Sequence, residues 1–332
     1  MEQQPLVSII TPCYNGEDFL KRFFQSILSQ TYRNLELIFI NDGSTDRTEE
    51  IALSYQPALE QRGVSFSLIN QKNMGPPGAI NAGLERFHGV YLTWPDSDDW
   101  MLPDCIEKKV RYLESHPDKD LVQCRCLMVR EENPKRVVGV LGRRRTYNGR
   151  LFDDLILEHD VVFAPISWMI RADCFLHTVP SRHIYDENRA GQAWQLLLPV
   201  CYEGECGFLP DYLAYYLIRN NSHSRTEKDY RSKLEKTFRH REILEHVISD
   251  MNMEESKQKQ YFEMIQHKFF RQRMLIAAEY RNKADFQKNV SLLGERKMWF
   301  KEDWLCYLRC ICKPFDFAYR GANYLQRRFF FV

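Results

Sequence analysis

The stretch VYLTWPDSDDW, Val90 to Trp100, decides how the chain can fold. Its first residues are apolar or β-prone and predict a buried strand. That strand runs directly into Asp96, Asp98 and Asp99, whose like charges repel one another. A solvated turn needs one aspartate for its local hydrogen bonds, not three. Either the segment is a wet acidic loop, or a cation holds the three carboxylates together.

The bulk composition is that of a soluble globular protein with enough apolar residues for a sizeable core. The chain has 332 residues, of which 44% are hydrophobic, and its net charge of +1 gives no global reason to expect nucleic acid as a partner. The N-terminus lacks the basic region of a signal peptide, and no apolar run approaches the length of a membrane span. The ten cysteines are scattered, as reduced cysteines are. We therefore expect a cytoplasmic protein.

Strand and helix signals alternate along the first part of the chain. The predicted strands are LVSIITPCY, LELIFIN, VSFSLINQ, GVYLTW and LVQCRCLMV. Helical patterns follow the first four, in NGEDFLKRFFQSILSQT, DGSTDRTEEIALSY, PPGAINAGLERF and the segment from Pro103 to about Ser115. Strands alternating with helices of this length predict an α/β fold, with a mostly parallel sheet covered by helices on both faces.

Three polar clusters fall where predicted strands end. They are Thr11–Asn15, Asn41–Ser44 and Asp96–Asp99. Ligands of open parallel sheets bind beyond the carboxyl ends of the strands. We therefore expect the three clusters to converge in space, although they are far apart in sequence.

The chemistry of these clusters suits a nucleotide and a divalent cation. The three aspartates supply hard anionic oxygens, which favour Mg²⁺ or Mn²⁺ over zinc. A short loop that offers one or two carboxylates leaves coordination positions open for a phosphate. Asp42 could accept hydrogen bonds from a nucleobase imide or a ribose, and the rigid Thr11-Pro12 turn could pack against a base. A solvated acidic turn is the alternative interpretation.

At this order and spacing the motifs resemble a known family. The run VSIITPCYNGEDFLKRFFQSILSQTYRNLELIFINDGSTDRT, followed by NMGPPGAINAGL and WPDSDDW, closely resembles the family 2 glycosyltransferases of GT-A (Rossmann-like) fold. The resemblance is strong over roughly the first 115 residues and continues weakly to about Arg225. It implies a GT-A catalytic domain over residues 1–225, and a helical C-terminal region over 226–332 follows it.

The resemblance also implies an activity. The expected reaction is metal-dependent, inverting transfer of a sugar from a nucleotide-diphospho-sugar, with a UDP-sugar favoured, to a hydroxyl acceptor. Mn²⁺ or Mg²⁺ would be the cofactor. The acceptor would be a glycan or a lipid-linked molecule, as in cell-surface polysaccharide or glycan biosynthesis, although the sequence names no acceptor. Oligomerisation is left open.

The family's roles carry over position by position. Thr11 and Asp42 would hold the base, while Asn73 and Gly75 lie where the loop passes the nucleotide. The full nucleotide-sugar-binding set is Thr11, Pro12, Tyr14, Asn15, Asp42, Asn73, Gly75, Asp96 and Ser97. Asp98, with Asp96, would bind the metal. Asp99 is a third member that would orient donor or acceptor and is a candidate catalytic residue.

The sequence departs from the family pattern at two places. The family commonly has Ala-Arg-Asn at the third helix, with its arginine near the diphosphate, and here the tripeptide is Ala79-Ile80-Asn81. Where the family has an acidic pair that carries the catalytic base, this chain has Gln192-Ala193, and neither residue accepts a proton at neutral pH. Asp186 and Glu187 are close enough in sequence to substitute, and His223 is a further candidate.

These departures leave other functions open. One is a catalytically weak glycosyltransferase-like protein that binds nucleotide and serves as a partner. The others are a nucleotidyltransferase and a metal-dependent phosphatase. The retained aspartates favour activity. A phosphatase would carry its D-x-D on the first strand, which here ends in TPCYN, and the glycine-rich basic signature of a nucleotidyltransferase is absent near the N-terminus.

Two basic segments have no assigned place in this scheme. Residues Arg130–Arg150 are predicted to be a loop, in which Arg143, Arg144 and Arg145 form either a solvated run or a mobile lid. The tail from Arg296 to Val332 alternates aromatic and basic residues. It is predicted either to lie on a membrane surface, at the inner face of the cell membrane, or to dock on protein.

Overall fold

The computed structural model describes residues 4–142, 151–219, 229–295, 301–312, 314–315 and 319. The chain divides into two compact units. The first is Met1–Asn220 with Asp250–Asn252, and the second is Asn221–Ser249 with Met253–Val332. The domain boundary predicted at Arg225 lies outside the described residues and stays a prediction.

The first unit alternates strands and helices, as the sequence predicts. In chain order its elements are β1 (Val7–Cys13), α1 (Leu20–Leu28), β2 (Leu35–Asp42), α2 (Thr48–Gln61), β3 (Ser65–Gln71), α3 (Gly75–Leu84), β4 (Tyr91–Thr93), β5 (Trp100–Met101), α4 (Cys105–Ser115), β6 (Leu121–Arg130), β7 (Asn133–Leu141), α5 (Leu151–Leu157), β8 (Trp168–Arg171), α6 (Ala172–Thr178), α7 (Gln192–Glu203) and β9 (Cys206–Ile218).

The strands form one sheet in the order β3-β2-β1-β4-β8-β6-β9-β5, with β7 paired to β6. Strands β1 to β4 pair in parallel, and so do β6 and β9. Strands β5, β7 and β8 pair antiparallel with their neighbours. The predicted α/β fold class is confirmed, with a parallel half at β1–β4 and a mixed half beyond it.

Strands β1, β2 and β4 are buried on both faces because most of their residues are apolar, whereas β3, at the end of the strand order, has only exposed and half-buried residues. All eight residues of β2 are buried, and so are six of the seven in β1. Phe23 and Phe24 of α1 pack on Phe39 of β2 with ring centroids 6.3 and 5.3 Å apart. Each such aromatic side chain stabilises the fold by roughly 1.5–3 kcal/mol through burial. This core fixes β1 and β2 side by side, so their carboxyl ends are neighbours.

The structure corrects two local predictions. Helix α1 begins at Leu20, later than the start of the predicted helical pattern at Asn15, and Asn15 lies in the preceding loop with a positive φ of 51°. Segment Arg130–Arg150 contains strand β7, not only a loop, because its valines pair with β6 in a hairpin. The β preference of the valines outweighs the charged residues around them. Arg143, Arg144 and Arg145 lie outside the described residues.

The second unit is helical, which confirms that part of the predicted architecture. Its helices are α8 (Tyr230–Asp250), α9 (Glu255–Glu279), α10 (Lys283–Glu295) and α11 (Lys301–Ile311). Phe270, Met274 and Leu293 form a core between α9 and α10. Across the described ranges, no helix combines the length and apolar character needed to span a bilayer. Most of the aromatic tail lies outside those ranges, so its contact with a membrane surface stays a prediction.

Candidate active site

The loops after β1 and β2 are joined by backbone-to-side-chain hydrogen bonds. The bonds run from Asn15 N to Ser44 Oγ (2.9 Å), from Gly16 N to Thr48 Oγ1 (2.8 Å) and from Glu17 N to Asp46 Oδ2 (3.0 Å). The side-chain oxygen of Asn15 also accepts from Thr45 N at 2.9 Å. The first two polar clusters are therefore one structural unit.

The loop that contains Asp96, Asp98 and Asp99 lies beside the loops after β1 and β2, and Cys13, the last residue of β1, contacts it. The thiol of Cys13 shares side-chain hydrogen bonds with Ser97 and Thr48 and feels the charge of Asp98. Burial raises the pKa of this thiol to about 12, so it is neutral and packs as an apolar group. The ends of β1, β2 and β4 thus converge as the sequence predicts.

Asp96, Asp98 and Asp99 face one another. One carboxylate oxygen from each lies within 4.8 Å of the others, and no other group of three candidate metal ligands occurs in the part of the chain that the structure describes. Asp99 is only 1% exposed. Its Oδ1 accepts a hydrogen bond from Leu217 N of β9 at 2.8 Å, and its Oδ2 is buried without a partner. We call these three residues the acidic triad.

The charges of the acidic triad are costly without a cation. Burial raises the pKa of Asp96 to about 7, and the charge of Asp98 adds to the shift. Burial also raises the pKa of Asp99, with Asp98 and Asp96 adding to it. The pKa of Asp98 is raised by burial and partly lowered again by Arg219, whose Nη1 lies 3.3 Å from Asp98 Oδ2. Three hard oxygen donors, one of them unpartnered and buried, fit Mg²⁺ or Mn²⁺.

Removing the charge of Asp96 is expected to stabilise the metal-free protein at high pH. In the folded protein the pKa of Asp96 is about 7, above its ordinary value of 3.8. The folded state therefore binds the proton of Asp96 more tightly than the unfolded chain does. This stabilisation is complete below pH 3.8 and is lost as pH rises through about 7. Asp96→Asn removes this pH dependence. The free energy of unfolding of the variant minus that of wild type should be on the order of 1 kcal/mol larger at pH 8 than at pH 5. Denaturant unfolding in EDTA measures both differences, and equal differences would contradict the prediction.

Asp42 organises the loop between β3 and α3. It is 3% exposed, and its Oδ1 accepts from Gln71 Nε2 and Met74 N, both at 2.8 Å. Its Oδ2 accepts from Gly75 N at 2.9 Å. Each carboxylate oxygen can accept two hydrogen bonds, so Oδ2 keeps capacity for one further donor. The predicted contact with a base stays a proposal.

Gly43, next to Asp42, brings the two loops into close contact. Its φ is +74°, and a Cβ at this position would lie 2.7 Å from the backbone nitrogen of Asn73. Glycine is therefore required both by the backbone conformation and by the close approach of the β3–α3 loop. The predicted residue Asn73 is held beside the end of β2 by this contact.

The other predicted base contacts differ in accessibility. Thr11 is fully buried, and its hydroxyl has no hydrogen-bond partner. Pro12 and Asn15 are half-buried, and Tyr14 is 45% exposed. At the end of β1 the side chains of Pro12, Tyr14 and Asn15 are therefore accessible, whereas that of Thr11 is not.

Sequence reasoning missed Arg189, which contacts two predicted site residues. Its guanidinium donates from Nη1 to Asn73 O at 3.1 Å and from Nη2 to Asn73 Oδ1. A Cβ on Gly75 would lie 3.0 Å from Arg189 Cβ. This arginine comes from the segment between α6 and α7, 116 residues beyond Asn73, and no local pattern marks it. It places a positive charge at the start of α3.

The candidate bases lie in the segment before α7. Gln192 and Ala193 open that helix, whereas Asp186 and Glu187 precede it. Asn81 of α3 exchanges two hydrogen bonds with the backbone of Ile184, both 2.8 Å, and donates to Asp186 Oδ2 at 3.4 Å. Asp186 is half-buried, and Glu187 is exposed. Among the described residues no hydrogen bond joins either acid to the acidic triad, and His223 lies outside that range.

The sheet order and the acidic triad beyond the end of β4 define a class, the GT-A fold. The family model for glycosyl transferase family 2 matches residues 8–176. The chain belongs to glycosyl transferase family 2.

Individual relatives agree with this assignment. An uncharacterized glycosyltransferase of Rickettsia prowazekii is 40% identical over 118 residues, which are 36% of this chain and about a third (35%) of that relative. The structure of S. aureus TarS 1-349 in complex with UDP-GlcNAc has a TM-score of 0.63 at 15% identity and covers 96% of this chain and 92% of that one. The mannosyltransferase PcManGT from Pyrobaculum calidifontis, in complex with GDP-Man and Mn²⁺, has a TM-score of 0.52 at 15% identity, over 91% and 83% of the two chains.

Proposed function

We propose that this protein is a metal-dependent, inverting glycosyltransferase that moves a sugar from a UDP-sugar to a hydroxyl acceptor. The observation that carries the proposal is the acidic triad. Its oxygens lie within 4.8 Å of one another, beside the joined loops of β1 and β2, and one buried oxygen of Asp99 has no partner. A solvated acidic turn, the alternative interpretation, would not bury these charges against one another.

The predicted residues other than the buried Thr11 and the candidate bases have the following roles in this proposal. Asp98 and Asp96 hold a divalent cation, which when bound neutralises charge that develops on the leaving diphosphate. Pro12, Tyr14 and Asn15 pack against the base, and Asp42 accepts from its imide. Asp99 is better suited to position the triad against β9 than to act as a base, because it is 1% exposed and bonded to Leu217 N.

The loop residues Asn73, Gly75 and Ser97 complete the donor site. Asn73 and Gly75 lie together with Arg189 at the start of α3, and Ser97 contacts Cys13 beside the acidic triad. Uracil is favoured over guanine as the base because the imide of uracil offers one donor to the single free acceptor position of Asp42. Complexes of the structural neighbours contain UDP-GlcNAc in one case and GDP-Man in the other, which makes guanine the base to compare.

A second candidate function is a nucleotide-binding partner protein with little catalytic activity. One observation favours it: Gln192 and Ala193 occupy the start of α7, where the family's acidic pair is expected. The two candidates differ in turnover but not in nucleotide binding. A measurement of sugar transfer to an acceptor would distinguish the two candidates. In our proposal the acceptor is a glycan or a lipid-linked molecule.

Titration calorimetry with nucleotides tests the proposal. UDP should bind at least tenfold more tightly with Mn²⁺ than in EDTA, since the cation joins the diphosphate to the acidic triad. GDP should bind less tightly than UDP. Uridine, which has no diphosphate, is the control and should show no metal effect. Absence of metal-dependent diphosphate binding would overturn the proposed function.

A further inference from the structure

Arg219 lies between the acidic triad and an aromatic ring. It directly follows Ile218, the last residue of β9. Its Nη1 lies 3.3 Å from Asp98 Oδ2, and its guanidinium carbon is 4.2 Å from the centroid of Phe19. Its Nε is buried and has no hydrogen-bond partner. The side chain is therefore held by one ion pair and one ring, with donor capacity left over.

This ion pair is the only one that the triad makes in the described part of the chain. None of the other described lysines, arginines or histidines lies within 4.0 Å of a carboxylate oxygen of Asp96, Asp98 or Asp99. Three acidic groups thus share a single positive charge. The guanidinium of Arg219 lies beside the acidic triad, where it neutralises part of the negative charge of the three carboxylates.

We propose that Arg219 occupies the place of the divalent cation in the metal-free protein and competes with it for Asp98, so that metal binding releases Arg219 to the donor's diphosphate. This inference rests on the proposed function, because it assumes that a metal and a diphosphate bind here. It makes Arg219 a diphosphate-binding residue that couples the two ligands.

Competition follows from charge and distance. A divalent cation coordinates a carboxylate oxygen at roughly 2.0–2.1 Å, and the guanidinium already donates to Oδ2 of the same carboxylate, that of Asp98. Two cations beside one carboxylate repel each other, so we expect the arginine to be displaced when the metal binds. Without nucleotide, the displaced guanidinium loses the one carboxylate partner that it has among the described residues, and this loss opposes metal binding.

A diphosphate removes that opposition. Arginine binds phosphate oxygens through paired N–H groups, and the unpartnered Nε of Arg219 provides an additional donor. The ring of Phe19 can keep the guanidinium beside the triad while its ion-pair partner changes. Metal and nucleotide should therefore bind cooperatively, and Arg219 should carry part of the coupling.

The test measures Mn²⁺ affinity with and without UDP. Free Mn²⁺ is followed by electron paramagnetic resonance in wild type, Arg219→Met and Arg22→Met. Arg22 is the matched control because it also stacks on Phe19, at 5.9 Å, and on Trp100, at 5.2 Å, but makes no ion pair with the triad. In Arg219→Met, Mn²⁺ alone should bind about tenfold more tightly than in wild type, and the factor by which UDP tightens Mn²⁺ binding should fall at least fivefold. Arg22→Met should match wild type in both.

Arg219→Lys supplies a second readout that does not depend on the folding of the methionine variant. Lysine keeps the positive charge but loses the planar donor set, so Mn²⁺ alone should bind with near wild-type affinity while the coupling to UDP falls. Unchanged or weaker Mn²⁺ binding in Arg219→Met, or equal effects of the Arg219 and Arg22 changes, would overturn the inference. Failure of wild type to bind Mn²⁺ even with UDP would instead overturn the proposed function.

Discussion

Asp98→Asn is expected to abolish the metal dependence of UDP binding and to lower sugar transfer by about 10²–10³-fold. Asparagine keeps the shape of the side chain but removes the charge on which the proposed metal site depends. Asp98 is also the triad member whose carboxylate already attracts a cation, Arg219, at 3.3 Å. The effect should therefore be larger than that of changes in the loops around the base.

The measurement combines calorimetry of UDP with and without Mn²⁺ and a transfer assay with a panel of UDP-sugars. Asp104→Asn is the matched control, because Asp104 carries the same charge a few residues further along the chain and pairs with Lys108 at 2.9 Å. That control should bind and turn over like wild type. Metal-dependent UDP binding of normal strength in Asp98→Asn would contradict both the assignment of Asp98 and the role of the triad.

The variant should still fold. In the metal-free protein the Asp98 charge raises the pKa values of Asp96 and Asp99, so its removal relieves repulsion at the triad. The lost ion pair with Arg219 acts in the opposite direction. Because the two effects offset each other, the thermal midpoint should change little, and a loss of activity can be read as a functional effect.

The sequence predicts the parallel half of the sheet well because its signals are local. LELIFIND contains the apolar run Leu37–Ile40, and every residue of that strand, Leu35–Asp42, is buried. Likewise Asp96, Asp98 and Asp99 are adjacent in sequence, so a single turn after β4 brings them together. Periodicity and turn chemistry describe such features without knowledge of the tertiary structure.

What the sequence does not predict depends on long-range contacts. Arg219 meets Asp98 across 121 positions, and Arg189 meets Asn73 across 116. Both arginines lie beyond the strongly resembling first 115 residues, and the weak resemblance that continues to about Arg225 assigns neither of them a role. The hydrogen bonds that Asp42 accepts from Met74 N and Gly75 N also depend on long-range structure. They form because of the conformation of the β3–α3 loop and not because of the strand that contains Asp42.

Asp186→Asn is expected to lower transfer by about 10²–10⁴-fold, whereas Glu187→Gln should lower it less than about fivefold. A catalytic base must be oriented as well as accessible. Asp186 is half-buried and receives a hydrogen bond from Asn81 at 3.4 Å, which holds its carboxylate beside α3. Glu187 is exposed and has no hydrogen-bond partner in the described part of the chain. We therefore propose Asp186 as the base.

Steady-state transfer assays over a range of pH measure both variants, with UDP binding as the check on the donor site. Loss of a base should lower kcat while UDP affinity stays within about twofold of wild type. Glu187→Gln serves as the control for a change of charge in the same loop. Full turnover in both variants would remove this segment as the source of the base. Absence of turnover in wild type, with metal-dependent UDP binding intact, would favour the nucleotide-binding partner protein, because Gln192 and Ala193 stand where the family's acidic pair is expected.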